Sequence, residues 1–184
     1  MQIYRGFETL PPFRHPAVTV GSFDGVHRGH RALIERLVAE AALVGGESLV
    51  LTFEPHPRIA LGRAEGLQQL TSLDEKAALL EQLGVDALIV IPFDRAFSEL
   101  SGTEFVERIL IGRLGAETLV AGFNHRFGHD RSDCESAVAG RMKIVRVAAC
   151  EVDGVRVSST AIRRLLAEGR RAEAEQLAGH TLNE

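Results

Sequence analysis

Ala17-Val18-Thr19-Val20-Gly21-Ser22-Phe23-Asp24-Gly25-Val26-His27-Arg28-Gly29-His30 passes from an apolar, strand-like run into a helical pattern through a glycine-rich turn. Downstream, Leu33, Ile34, Leu37, Val38 and Ala41 recur on one helical face. His27 and His30 therefore fall where a strand becomes a helix. Such a junction gathers unpaired backbone N–H groups and the positive end of the helix dipole, and so favours an anion. Gly21, Gly25 and Gly29 let the backbone approach a ligand closely. The junction suits a polyphosphate, with Phe23 and Asp24 in the same turn. The plainer alternative is an Asp-Gly turn, one histidine capping the helix and the other on the surface. A zinc site lacks the further cysteine or histidine nearby that would complete a tetrahedral set.

Outward from this stretch, strand and helix patterns alternate. Ala17–Val20 reads as a buried strand, and the helix after it runs to about Ala42, ended by Gly45-Gly46. Glu47–Phe53 is the next strand, followed by a loop with Pro55, Pro57 and Gly62. Ser72-Leu73-Asp74-Glu75 is a capping box that opens a helix ending near Leu83. Ala87–Ile91 is a third strand, and Ser101-Gly102-Thr103-Glu104 is a second capping box, its helix stopping at Gly115. Thr118–Ala121 is a fourth strand. Phe123 to Ala139 is a polar loop with room for a short helix. Lys143–Glu151 and Val155–Val157 form short strands or a hairpin around Asp153-Gly154. Thr160–Glu168 and Arg171–Ala178 are closing helices, with a polar tail to Glu184. Repeated βα units with nearly all-apolar strands predict a Rossmann-like, doubly wound α/β fold. It has a parallel sheet of about five strands, helices on both faces and a C-terminal helical segment. Ligands in such sheets bind at the carboxyl ends of the strands, where the first turn places His27 and His30.

The length of 184 residues fits one domain. The net charge of −4 argues against a nucleic-acid coat or a polybasic membrane anchor. Cys134 and Cys150 form no CxxC pair, no signal peptide opens the chain and no apolar stretch is long enough to cross a bilayer. A cytoplasmic protein is expected, with no nucleic-acid or membrane partner.

Val157-Ser158-Ser159-Thr160-Ala161-Ile162-Arg163 is a second chemical signal. Hydroxyls at a helix start cap orphan N–H groups and also donate to phosphate. Arg163, one turn in, offers a planar fork suited to phosphate oxygens. Gly122-Phe123-Asn124-His125-Arg126-Phe127-Gly128 follows the fourth strand, and Phe53-Glu54-Pro55-His56-Pro57 follows the second. The two prolines stiffen a loop that could wall a flat apolar ligand.

The first segment resembles the GxFDGxHxGH signature of the nucleotidyltransferase superfamily. Its FDGVH form is most similar to the prokaryotic FAD synthetases, or FMN adenylyltransferases. Val157–Arg163 resembles the ISSTxIR motif of that superfamily, and Gly122–Gly128 resembles the G-x-[DN]-[FY]-x-F-G segment, with His125 in place of the usual aromatic. FEPHP at Phe53–Pro57 is also shared, as are 70–86 and 97–110, so the likeness spans about residues 1 to 180.

The resemblance implies transfer of AMP from ATP to FMN, giving FAD and pyrophosphate. It implies catalytic roles for His27, His30 and Arg163. It places nucleotide contacts at Gly21, Phe23, Asp24, Gly25, Gly29, Asn124, Ser158, Ser159 and Thr160. Flavin contacts are implied at Pro55, His56, Pro57 and Phe127. Mg²⁺ is implied as a bridge between phosphates, with no protein ligand assigned; Asp24 suits a turn better than a metal. Many relatives continue into a riboflavin kinase domain, so residues 1–184 are expected to be the adenylyltransferase domain without it. The alternatives are a nucleotidyltransferase with another phosphate acceptor and a non-catalytic nucleotide or flavin binder.

Overall fold

A computed structural model describes residues 1–63 and 67–182. In chain order its elements are β1 (Gln2–Arg5), β2 (Ala17–Val20), α1 (Arg28–Leu43), β3 (Ser48–Glu54), α2 (Pro57–Ala60), α3 (Leu73–Gln82), β4 (Ala87–Pro92), α4 (Arg95–Ser98) and α5 (Gly102–Phe105). A π-helical stretch, Val106–Ile111, continues α5. There follow β5 (Thr118–Gly122), β6 (Arg126–Phe127), β7 (Ser132–Asp133), α6 (Cys134–Val138), β8 (Lys143–Val147), β9 (Glu151–Val152), β10 (Val155–Arg156), α7 (Ser159–Ala167) and α8 (Arg171–Ala178). Asn183 and Glu184, the end of the expected polar tail, lie outside the described residues.

Six strands form one parallel sheet in the order β1-β4-β3-β2-β5-β8. The expected five are all present; the sixth is β1. It pairs with β4 at the sheet edge, and its exposed residues give none of the apolar run that marks the inner strands. Lys143–Glu151 is not one strand: Lys143–Val147 joins the sheet beside β5, while Glu151–Val152 turns into a separate hairpin with Val155–Arg156.

Alternation along the strands sorts the core into two faces. Leu49, Leu51, Ile89, Ile91, Leu119 and Ala121 pack with Phe105, Val106, Leu110 and Val138. Val50, Leu88, Val90, Val120 and Val145 pack on the other side with Ile34, Leu37, Ala41, Ala77 and Leu80 from α1 and α3. A third cluster, Ile162, Leu165, Ala174, Leu177 and Leu182, joins α7 to α8 and meets Leu70. The chain leaves β2 towards β3 on one side, while β5 lies on the other. The carboxyl ends of β2 and β5 therefore border the crevice where a doubly wound sheet takes its ligand. Among the described residues no helix is long and apolar enough to cross a membrane.

Candidate active site

The turn from β2 into α1 is strained. Phe23 and Val26 have positive φ angles of 46° and 31°, and Gly25 has 82°. A β-branched residue at positive φ is an outlier that only surrounding contacts sustain. Those contacts come from distant segments. Asp24 is 2% exposed, and its Oδ1 accepts from the backbone N–H groups of Leu70 at 2.8 Å and Thr71 at 3.2 Å. Its Oδ2 pairs with Arg163 Nη2. Thr71 Oγ1 accepts from the Gly25 N–H at 3.0 Å. Ser159 Oγ donates to the Asp24 carbonyl at 2.8 Å, and His180 Nε2 donates to the Gly25 carbonyl at 2.7 Å. Asp24 thus faces the protein interior, and Arg163 is held by it and by the Gln68 carbonyl, which accepts from Nε at 2.7 Å.

His27 caps α1. Its Nδ1 accepts from the His30 N–H at 3.2 Å, which leaves the proton of a neutral ring on Nε2. The His30 ring stacks on it at 3.6 Å between centroids, 13° from parallel, and meets Phe23 edge-on. Burial pushes the His27 imidazole down to about 4, and burial together with the neighbouring His27 holds His30 well below the ordinary range. Both rings are neutral at pH 7 without ligand. They offer N–H donors rather than fixed charge, and a bound polyanion would favour their protonation. His30 Nδ1 is buried without a protein partner among the described residues. A Cβ at Gly29 would sit 3.4 Å from the His27 ring, so glycine there lets the helix start lie close against the pair.

A cavity of about 300 Å³ opens over this helix start. Gly21, Ser22, Phe23, His27, Gly29 and His30 line one wall; Gly122, Phe123, Asn124 and His125 line another; Val147, Cys150, Arg156, Val157 and Ser158 complete it. Ser158 caps α7 by accepting from the Ala161 N–H at 3.1 Å, so the starts of α1 and α7 converge on the cavity. Arg156 stands over the Phe123 ring, 4.5 Å from its centroid. Of the expected nucleotide contacts, Gly21, Phe23, Gly29, Asn124 and Ser158 share this cavity with His27 and His30. Asp24, Gly25 and Ser159 instead brace the turn behind it, and Thr160 is exposed outside the lining.

A second cavity, of about 450 Å³, lies beside the first. Phe53, Phe93, Phe97, Phe105 and Phe127 give it aromatic walls, with Arg63, Arg126, Arg131 and His129 also lining it. The rings interlock: Phe53–Phe93 at 5.3 Å, Phe93–Phe97 at 5.6 Å and Phe105–Phe127 at 5.4 Å between centroids. Of the four residues expected to meet a flavin, Phe127 lines this cavity, whereas Pro55, His56 and Pro57 line neither. His56 caps α2, its Nδ1 accepting from the Arg58 N–H at 3.2 Å, and burial lowers its basicity. The FEPHP segment contributes its first residue, Phe53, to the aromatic wall. Phe93 and Phe105 carry no sequence signal, because an isolated phenylalanine is indistinguishable from core. Val20 and His125 line both cavities.

The donor set does not make a protein cage for a metal. Both Asp24 oxygens are already engaged, and among the described residues no group of three or more His, Cys, Asp or Glu side chains is placed to hold an ion. Asn124, exposed on the first cavity, offers one amide oxygen.

Comparison with known proteins adds independent findings. A family model described as FAD synthetase matches residues 12–161. The bifunctional riboflavin kinase/FMN adenylyltransferase of Listeria monocytogenes is 38% identical over 168 residues, covering 89% of this chain and 53% of the relative. The protein of the same description from Escherichia coli K12 is 34% identical, covering 98% of this chain and 60% of the relative. The chain therefore spans little more than half the length of these curated relatives. A solved Streptococcus pneumoniae structure, described as a macrolide-efflux protein, superposes with a TM-score of 0.88 at 26% identity, covering 98% of this chain and 60% of that one.

Proposed function

The chain belongs to the FAD synthetase family, and from that membership we propose that it transfers the adenylyl group of ATP to FMN, yielding FAD and pyrophosphate. The observation that carries the reading is the pair of adjoining cavities. One has two neutral imidazoles and two helix starts, suited to a polyphosphate; the other has five phenylalanines, suited to a flat aromatic ring system. They meet at Val20 and His125, so a flavin in one presents its phosphate to a nucleotide in the other.

The chemistry asks for alignment more than for a nucleophilic side chain. The FMN phosphate, with a second pKa near ~6, is already anionic at neutral pH. One of its oxygens attacks the α-phosphorus of ATP. A P–O bond forms, the bond from the α-phosphorus to the α,β-bridging oxygen breaks, and pyrophosphate leaves with that electron pair. His27 and His30 donate to the α- and β-phosphates as charge grows, while the start of α7 at Ser158 holds the far end of the chain of phosphates. Arg163 acts from behind, fixing the turn through Asp24. With few oxygen ligands in the site itself, Mg²⁺ would be held chiefly by the nucleotide's own phosphates, where it would offset their negative charge. Residues 1–184 act as one domain in this reading. ATP and FMN are its small-molecule partners, and the free thiols Cys134 and Cys150 suit a cytoplasmic setting.

The test is purified protein with Mg-ATP and FMN, followed by chromatography for FAD and assay of released pyrophosphate. Stoichiometric FAD and pyrophosphate are expected. Adenylylation of phosphopantetheine or glycerol phosphate in preference to FMN would overturn the acceptor. Tight binding of both substrates without turnover would make the chain a sensor rather than an enzyme.

A further inference from the structure

His125 occupies a position that the reading above leaves without a task. It ends a tight turn after β5, its N–H donating to the Gly122 carbonyl at 3.1 Å and its own carbonyl lying 3.5 Å from Cys134 Sγ. Its ring packs edge-on against Phe127 at 4.7 Å between centroids. Backbone and ring are thus both fixed. The Nε2 atom is nevertheless buried with no protein partner among the described residues, an arrangement that is destabilising unless something else pairs with it. Burial and the nearby Arg146 push this imidazole down to about 4, so the ring is neutral at pH 7.

Position supplies the partner. Val20 and His125 line both cavities, and Val20 is apolar. A ligand with its ring among the phenylalanines and its anionic end toward His27 and His30 crosses from one cavity to the other beside His125. We infer that His125 is a specificity-determining residue: its Nε2–H donates a hydrogen bond to the phosphate of the acceptor, selecting a phosphorylated flavin over one ending in a hydroxyl. The inference rests on the reading of the aromatic cavity as the flavin's place. A donor to a charged oxygen contributes more than one to a neutral hydroxyl, so the effect is felt by FMN and much less by riboflavin.

The experiment measures binding of FMN and of riboflavin separately, by quenching of flavin fluorescence, in the wild type, His125→Phe and His125→Gln. FAD formation is assayed alongside. The expected result is FMN affinity lowered about 10- to 100-fold in H125F, with riboflavin affinity within about twofold of wild type. H125Q, which keeps an N–H donor, retains most of the preference. The melting temperature of H125F is not reduced, because a ring of similar size replaces a buried unpaired nitrogen; should H125F aggregate, H125L supports the same comparison. An unchanged FMN-to-riboflavin ratio in H125F or H125L overturns the inference. Wild-type protein that binds neither flavin overturns it together with the flavin reading. If the wild type binds flavin but forms no FAD, only the adenylyl-transfer reading fails, and the ratio still decides for or against His125.

Discussion

His27 has two tasks that substitution separates. As the cap of α1 it accepts a backbone N–H; as a lining residue of the smaller cavity it carries Nε2–H. His27→Ala is expected to lower turnover about 10²–10³-fold through loss of a donor to developing charge. It should also lower stability by about 1 kcal/mol through loss of the cap. His27→Ser restores a capping oxygen, so its urea midpoint should return toward wild type while its rate stays low. Recovery of both in the serine variant would make the histidine a cap alone. Arg163 has a bracing task beside the catalytic role that the resemblance implies. It is the ion-pair partner of the buried Asp24 carboxylate, across 139 residues of chain. Arg163→Ala is expected to destabilise the fold by about 3–5 kcal/mol, read from the denaturant midpoint, because it strands the Asp24 charge. Adding Asp24→Asn to that variant should recover part of the loss; no recovery would show that the pair is not coupled. The residues from Gly21 to His30 could be picked out in sequence because a glycine-rich turn with two histidines between an apolar run and a helical pattern marks a strand-to-helix junction. Their partners could not, since nothing local tells Asp24 that it will meet Leu70, Thr71 and Arg163.

At the scale of elements, the loop between β2 and α1 stores backbone strain that its clamps offset. Gly25 shows how little slack remains: its φ is 82°, and a Cβ there would come within 2.9 Å of Leu70 Cδ1. Gly25→Ala should cost about 1–2 kcal/mol from the left-handed backbone alone. The crowded Leu70 adds to that, and the Michaelis constant for ATP should rise as His27 and His30 shift. A melting temperature equal to wild type would mean that the loop relaxes freely and that the strain has no clamp. Inner strands were legible because burial on both faces leaves continuous apolar runs such as Leu49–Leu51 and Leu88–Ile91. The capping boxes at Ser72 and Ser101 form as their spacing predicts, with Glu75 and Glu104 reaching back to the cap N–H groups. The widening of α5 into a π-helix over Val106–Ile111 left no mark, because i→i+5 pairing has no residue signature of its own. The aromatic cavity was equally hidden: it is assembled from β3, the segment after β4, α4, α5 and β6, and only the tertiary fold brings these together.

For the whole molecule, the buried imidazoles make stability a function of acidity. His27 and His125 titrate at about 4 when folded, and burial also lowers His30 and His56, whereas the unfolded side chains titrate near 6.5. Between pH 6.5 and about 4 the unfolded chain binds more protons. Stability is therefore full above that window and is lost as pH falls through it. The melting temperature should drop steadily from pH 7 to pH 5, and the drop should be shallower in H125F by the share of one proton; an identical slope would show that His125 is not protonated on unfolding. The bracing of the site loop bears on how the molecule comes into being. Three of its clamps, Ser159, Arg163 and His180, lie 135 to 155 residues from the carbonyls and carboxylate they hold. A ribosome that has delivered everything through Val157 has already supplied every strand of the sheet, yet none of these three side chains. Synthesis and shape are thereby put in series: a growing chain has the fully braced turn between β2 and α1 only after α8 and His180 have cleared the exit tunnel, and a prematurely released fragment carries His27 and His30 without these three clamps.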